Sequence, residues 1–250
     1  MSIASLPPSL LEQATLPYRP LGNFAWLFAR GKLRGDPAFA GLLQRGLIPS
    51  HARVLDIGCG QGLLAALLCS LDTKASAKPT WPKQWAPAPT GVSVRGIELM
   101  PRDVARAQAA LGHLGKRAEF ILGDMRSTDF GQADAVVILD VLHYVGYEAQ
   151  DDVLRRVKAA LAPGGRLLLR VGDAAAGLPF RISNWVDAVA TFARGHRLSR
   201  LYCRTVSEWQ KTLLDLGFAV EAIPMHQGTP FANVLLVARL PGHAATSATS

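Results

Sequence analysis

Two rhythms of apolar residues alternate along this chain. Short, mostly apolar runs at Val54–Ile57, interrupted only by Asp56, at Ala135–Leu139 and within Arg166–Val171 predict strands buried on both faces. Gly91–Leu99, Ala219–Ile223 and Asn233–Ala238 predict further strands. Between them lie runs on helical spacing. Leu63–Leu71 is one, and Pro101 opens a second that carries Val104, Ala105, Gln108 and Leu111 and closes at Gly112. Asp151–Leu161 forms a third ahead of Pro163, and Thr205-x-x-Glu208 is a capping box before Trp209, Leu213, Leu214 and Leu216, with Gly217 as the stop. Strand and helix in turn predict an α/β fold, an open and mostly parallel doubly wound sheet with helices on both faces.

The first strand runs directly into glycines at alternating positions, Gly58, Gly60 and Gly62 of Val-Leu-Asp-Ile-Gly-Cys-Gly-Gln-Gly. Residues without a Cβ let a ligand approach the backbone, and the helix that follows points its free N–H groups at that ligand. The spacing is not that of a dinucleotide fingerprint, and the Gly-Lys-Ser or Gly-Lys-Thr of a phosphate loop is missing. Asp56 within the segment would repel a pyrophosphate, which favours a ligand carrying positive charge. S-adenosylmethionine carries a sulfonium and an ammonium.

From roughly residue 50 to 240 the chain resembles a class I S-adenosylmethionine-dependent methyltransferase of the small-molecule type. The resemblance implies a Rossmann-like sheet of seven strands and a set of cofactor-binding residues. Asp56, Gly58, Cys59, Gly60 and Gly62 would surround the methionine part. Glu98, followed by Leu99, stands where the family holds the ribose hydroxyls. Asp124 and Met125 stand where it holds the adenine, and Asp140 closes the fourth strand. Leu161-Ala162-Pro163-Gly164-Gly165 is similar to the family's turn before the fifth strand. Five segments in the right order carry far more weight than the glycine turn alone.

Three stretches depart from the common core. Glu98 follows the glycine turn at nearly twice the usual distance, and Asp72–Gly91, with four prolines, two tryptophans and no apolar period, accounts for the excess as an inserted surface loop. Residues 1–49 form an N-terminal helical cap segment with Tyr18, Phe24, Trp26, Leu27 and Phe28, a break at Gly31 between Arg30 and Arg34, and a short helix Pro37–Leu47. Residues 174–204 form a second cap, with Ile182, Trp185, Val186, Val189 and Phe192 on one helical face. Such additions cover the carboxyl ends of the strands, where ligands bind. Residues 241–250 are small and polar, a disordered tail.

Composition narrows the partners. The net charge is +8, and five arginines face one aspartate between Phe180 and Thr205, which favours an acidic partner. A carboxylate metabolite, an acidic acyl carrier protein presenting the substrate, or RNA bound along 181–204 would each satisfy it. No apolar run is long enough to span a membrane and the first residues do not resemble a secretory signal. Scattered Cys59, Cys69 and Cys203 fit a cytoplasmic protein without disulfides or a cysteine metal site.

Methyl transfer to a hydroxyl needs alignment and a base. His143, a few residues past the fourth strand, is the candidate base, with Tyr144 beside it. Asp140-Val141-Leu142-His143 lacks the Pro-Pro-aromatic run with which the family's adenine and glutamine methylases follow that strand. Asp173-Ala174 lacks the Asn of its metal-dependent catechol methylases, so no metal is expected. The reading is O-methylation of a small or carrier-bound aromatic, polyketide-like or fatty-acyl-derived hydroxyl or carboxyl, as in secondary metabolism. An RNA methyltransferase and a non-catalytic binding subunit that keeps the fold are the alternatives.

Overall fold

A computed structural model describes residues 5–72, 81–172, 201–225 and 233–242. Seven strands form one sheet: β1 (Arg53–Ile57), β2 (Ser93–Glu98), β3 (Ala118–Leu122), β4 (Ala133–Leu139), β5 (Leu161–Gly172), β6 (Ala219–Pro224) and β7 (Asn233–Arg239). Their spatial order is β3-β2-β1-β4-β5-β7-β6. The first five are parallel and β7 runs antiparallel to both β5 and β6. The order reverses between β1 and β4, so the carboxyl ends of those strands form the crevice where ligands bind in such sheets.

The central strands β1, β4 and β5 are largely buried on both faces, which explains their mostly apolar runs. Val54, Val94, Ala135, Val137 and Leu168 enter one core with α1 (Pro8–Thr15), α2 (Asn23–Gly35), α3 (Pro37–Gln44), α4 (Leu63–Ser70) and α5 (Pro101–Leu111). Leu55, Ile57, Val136, Ile138, Leu167 and Leu169 enter the other with α6 (Tyr147–Ala160) and α7 (Val206–Asp215). By this alternation Asp56 and Arg170 point toward the first face, and both are buried.

Helix α4 is apolar all round because every residue from Leu63 to Cys69 is buried, between the sheet and α1. Helix α7 starts on the capping box read from the sequence: the Thr205 hydroxyl accepts from the Glu208 N–H, and Glu208 accepts from the Thr205 N–H at 2.7 Å. Helix α6 begins a turn earlier than Asp151, with Gly146 extended before it and Glu148 in its first turn. Strand β5 already starts at Leu161, so the Pro163-Gly164-Gly165 turn is an irregularity within it where the pairing with β4 slips.

Two expectations need correction. Gly31 does not break the second helix; α2 runs through it, since a helical glycine at an exposed position costs only about 1 kcal/mol. The stretch 72–91 is not wholly a surface loop. Trp85 is buried edge-on against Trp81 at 5.3 Å, and Ala86 N–H donates to Gln44 O, tying this segment to the end of α3. Residues 73–80 lie outside the described residues, as do 173–200, which hold nearly all of the expected second cap, and 243–250 of the expected tail. No helix among the described residues is long and apolar enough to cross a membrane.

Candidate active site

Strand β1 delivers the chain into a turn with three left-handed glycines, at φ 78° for Gly58, 55° for Gly60 and 77° for Gly62. The glycines have different reasons. A Cβ on Gly58 would lie 2.6 Å from a Val141 methyl, and one on Gly62 would lie 2.7 Å from the Phe120 ring. At Gly60 a Cβ would meet nothing within 4 Å. Gly58 and Gly62 therefore let neighbouring elements close on the turn, and Gly60 presents bare backbone to open space. Gly58→Ala is expected to lose about 2–4 kcal/mol of stability in urea unfolding, from left-handed strain plus overpacking. Gly60→Ala should lose only about 1–2 kcal/mol, from strain alone. Equal losses would mean that the contact with Val141 yields.

Glu98 ends β2 beside this turn. Its carboxylate accepts from the Gly60 N–H and from the Met100 N–H, both at 2.9 Å. A carboxylate offers about four lone-pair positions, so acceptor capacity remains on both oxygens. Asp56 lies behind the turn, buried, and burial followed by the nearby Glu98 charge pushes its pKa up to about 7. Burial also pushes the Cys59 thiol up, as do the two acids. Two close carboxylates, one of them desolvated, form a place where a cation is favoured. With the bare backbone of Gly60, this arrangement fits the methionine and ribose parts of S-adenosylmethionine.

The side expected to hold adenine is less open. Asp124 lies past β3, and its carboxylate is taken up by its neighbour Arg126 through bonds of 3.0 and 2.5 Å, which hold its pKa below the usual range. Met125 is half-buried and its carbonyl accepts from Arg156 at 2.8 Å. Leu99 is 52% exposed, as a residue waiting to cover a flat ligand would be.

The turn after β4 completes the group. Asp140 adopts φ 57°, uncommon outside glycine. Its carboxylate accepts from Arg170 Nε at 2.9 Å and also from Arg170 Nη2. His143 and Tyr144 follow on a short 3-10 turn with ring centroids 4.3 Å apart. Burial pushes the His143 imidazole below its ordinary pKa, with Asp140 opposing, so at neutral pH it is an uncharged base. Fully buried Gln150 fixes this turn, its side-chain amide donating to the carbonyls of Leu142, Val145 and Tyr202. The Tyr202 N–H in turn donates to His143 O at 2.9 Å.

Sequence reasoning missed several of these partners. Arg170 was visible as a charge inside the run Leu167–Val171, where a buried strand should carry none. Nothing in the sequence signalled that Tyr18 reaches Gln61, 43 residues on, that Asp36 reaches Arg170, 134 residues on, or that Gln150 reaches Tyr202, 52 residues on. The basic segment 181–204 is described only from residue 201, and Arg204 there serves the protein interior. It pairs with Asp151 at 2.8 Å and lies over the Tyr147 and Trp209 rings. The described residues contain no group of side chains arranged to hold a metal ion.

Residues 55–167 match the family described as a methyltransferase domain. Carboxy-S-adenosyl-L-methionine synthase of Chromohalobacter salexigens is 30% identical over 131 residues, which cover 52% of this chain and 43% of that protein. Ubiquinone biosynthesis O-methyltransferase of Xanthomonas axonopodis is 29% identical, over 49% of this chain and 44% of that protein. The chain thus spans less than half the length of these curated relatives. Magnesium protoporphyrin IX methyltransferase from Synechocystis, solved with S-adenosylhomocysteine, superposes with a TM-score of 0.56 at 20% identity, over 90% of this chain and 93% of that one. At 20% identity that superposition shows the fold, while the family match over residues 55–167, with the strand order and the glycine turn, supports a class I S-adenosylmethionine-dependent methyltransferase domain there.

Proposed function

We propose that this domain transfers a methyl group from S-adenosylmethionine to an oxygen of a small or carrier-presented metabolite. The observation that carries the reading is the joint: the turn bearing His143 packs through Val141 onto Gly58, so a candidate base and the cofactor turn share one rigid wall. When bound, the cofactor supplies a methyl carbon already activated by a positively charged sulfur. The protein's part is then placement and proton handling. Glu98 holds the ribose, and Asp56 offsets the positive charge. Leu99 and Met125 lie along the adenine, and Asp124 shares its carboxylate between Arg126 and the adenine amino group. His143 takes the proton of an acceptor hydroxyl, with Tyr144 as its neighbour.

We assign the acceptor to the apolar and cationic surface of α2. Trp26 of α2 lies between Arg19 and Arg30, with guanidinium carbons 5.3 and 5.9 Å from its ring, and Phe24 and Leu27 are exposed on the same helix. That surface suits an aromatic or acyl group carrying a carboxylate or a carrier's phosphate. The O-methyltransferase among the relatives supports oxygen as the acceptor atom.

Incubation with methyl-labelled S-adenosylmethionine and a lysate of the source organism, followed by separation of small molecules, proteins and RNA, tests the reading. Label is expected among small molecules or on a carrier protein; label in RNA alone overturns it. Once an acceptor is known, His143→Gln separates the two oxygen chemistries. A hydroxyl acceptor predicts a loss of about 100-fold or more in kcat, since a base contributes on that scale. For wild type with such an acceptor, activity should fall as pH drops through the lowered His143 pKa, and the variant should lack that limb. A carboxyl acceptor is ionised at neutral pH and predicts little change.

A further inference from the structure

The N-terminal segment reaches the glycine turn by two routes, one direct and one through a relay, although nothing in the common sheet requires it to. On the direct route Tyr18, fully buried, donates its hydroxyl to Gln61 O at 2.8 Å, between Gly60 and Gly62. On the other route Asp36 caps α3, accepting from the Ala38 N–H at 3.0 Å, and its carboxylate is held by Lys32 at 2.7 Å and by Arg170. Arg170 is buried, and the same guanidinium holds Asp140 in its left-handed conformation. The next residue, Val141, occupies the space that a Cβ on Gly58 would need. The path therefore runs from Asp36 through Arg170 and Asp140 to Gly58.

We infer that Tyr18 and Asp36 are positioning residues for the cofactor turn, with Arg170 as the relay from Asp36. This rests on the reading of that turn as a binding site for S-adenosylmethionine. Apolar side chains of similar size would hold α2 and α3 on the sheet as well as a buried Asp–Arg–Asp group does, because ion desolvation offsets most of the attraction. What a forked guanidinium adds is direction: it fixes two carboxylates in one plane. That fixes the φ of Asp140, and so the wall on which Gly58 rests. A turn that spends less time in the competent shape binds its ligand more weakly by that same fraction.

The test is binding of S-adenosylmethionine and of S-adenosylhomocysteine to the full chain by calorimetry, which needs no acceptor. Wild type is compared with Asp36→Asn and Tyr18→Phe, and folding is checked by circular dichroism and the urea midpoint. Neither substitution leaves a buried ion unpaired, because Arg170 keeps Asp140. Each variant is expected to bind both ligands several-fold to about tenfold more weakly, by equal factors for the two. An affinity within twofold of wild type, beside a lowered urea midpoint, would make these residues structural only and overturn the inference. A loss confined to the cationic ligand would also overturn it, because that pattern reports lost negative charge and not lost shape. If Asp36→Asn does not fold, Tyr18→Phe carries the test alone. Wild type that binds neither ligand removes the function reading, and this inference with it.

Discussion

Glu98→Ala is expected to lower the affinity for S-adenosylmethionine about 100-fold or more in calorimetry. Two hydroxyls donating to a carboxylate contribute roughly 1.5–3 kcal/mol each, and about 1.4 kcal/mol is a factor of ten. The loss has a second source in this protein, since the Gly60 N–H that faces the site loses its acceptor when Glu98 is removed. Glu98→Gln isolates the first source. Its carbonyl can still accept from a backbone N–H, so it should bind better than the alanine variant and worse than wild type. Affinity within twofold of wild type in both variants would remove Glu98 from the site.

For Arg170→Met the expected result is a loss of about 3–5 kcal/mol, because a buried ion pair broken from one side leaves uncompensated charge. For a domain of this size that lowers Tm by roughly 6–20 °C. The pH dependence should invert. In wild type, burial pushes the Asp36 carboxyl up, and the pull of Arg170 and Lys32 overcomes it, leaving the pKa well below the usual range. A lowered folded pKa gives stability that is present above the unfolded value and lost as pH falls through the folded one. Without Arg170, burial should push the Asp36 carboxyl up. Its contribution is then greatest at acid pH and is lost as pH rises through the raised value. The deficit measured by urea unfolding should therefore be larger at pH 8 than at pH 5. A combined Asp36→Asn, Arg170→Met, Asp140→Asn variant should recover much of the loss, and an equal deficit at both pH values would show that packing alone is at stake.

Much of the fold was legible because parallel strands buried on both faces leave mostly apolar runs. The α7 start was legible because Thr205 and Glu208 solve a local hydrogen-bonding problem within four residues. Local rules failed where exposure or remote packing decides. Tyr147 and Glu148 are exposed, so the first turn of α6 carried no apolar period. Trp85 sits in a proline-rich stretch that reads as loop, yet it is buried with the core beneath α1–α5. The glycine turn could be read because its requirement is backbone freedom, a property of single residues. Which glycine faces the ligand could not, since that depends on Val141 and Phe120 arriving from β4 and β3. Asp124 differs, because its partner Arg126 is only two residues on and a local pairing was missed.

The Asp36 to Arg170 contact joins residues 134 positions apart. A nascent chain leaves the ribosome in order, so α2, α3, the glycine turn and β1 to β4 all exist before their common anchor has been synthesised. Contacts this distant carry a high loop-closure cost and form late. Until β5 slides in beside β4, Asp36 lacks its main counter-ion and Asp140 has nothing to hold its unusual backbone. The binding crevice is thus among the last parts of the molecule to take shape. A chain halted before residue 170 could assemble much of its first core and still lack a finished site.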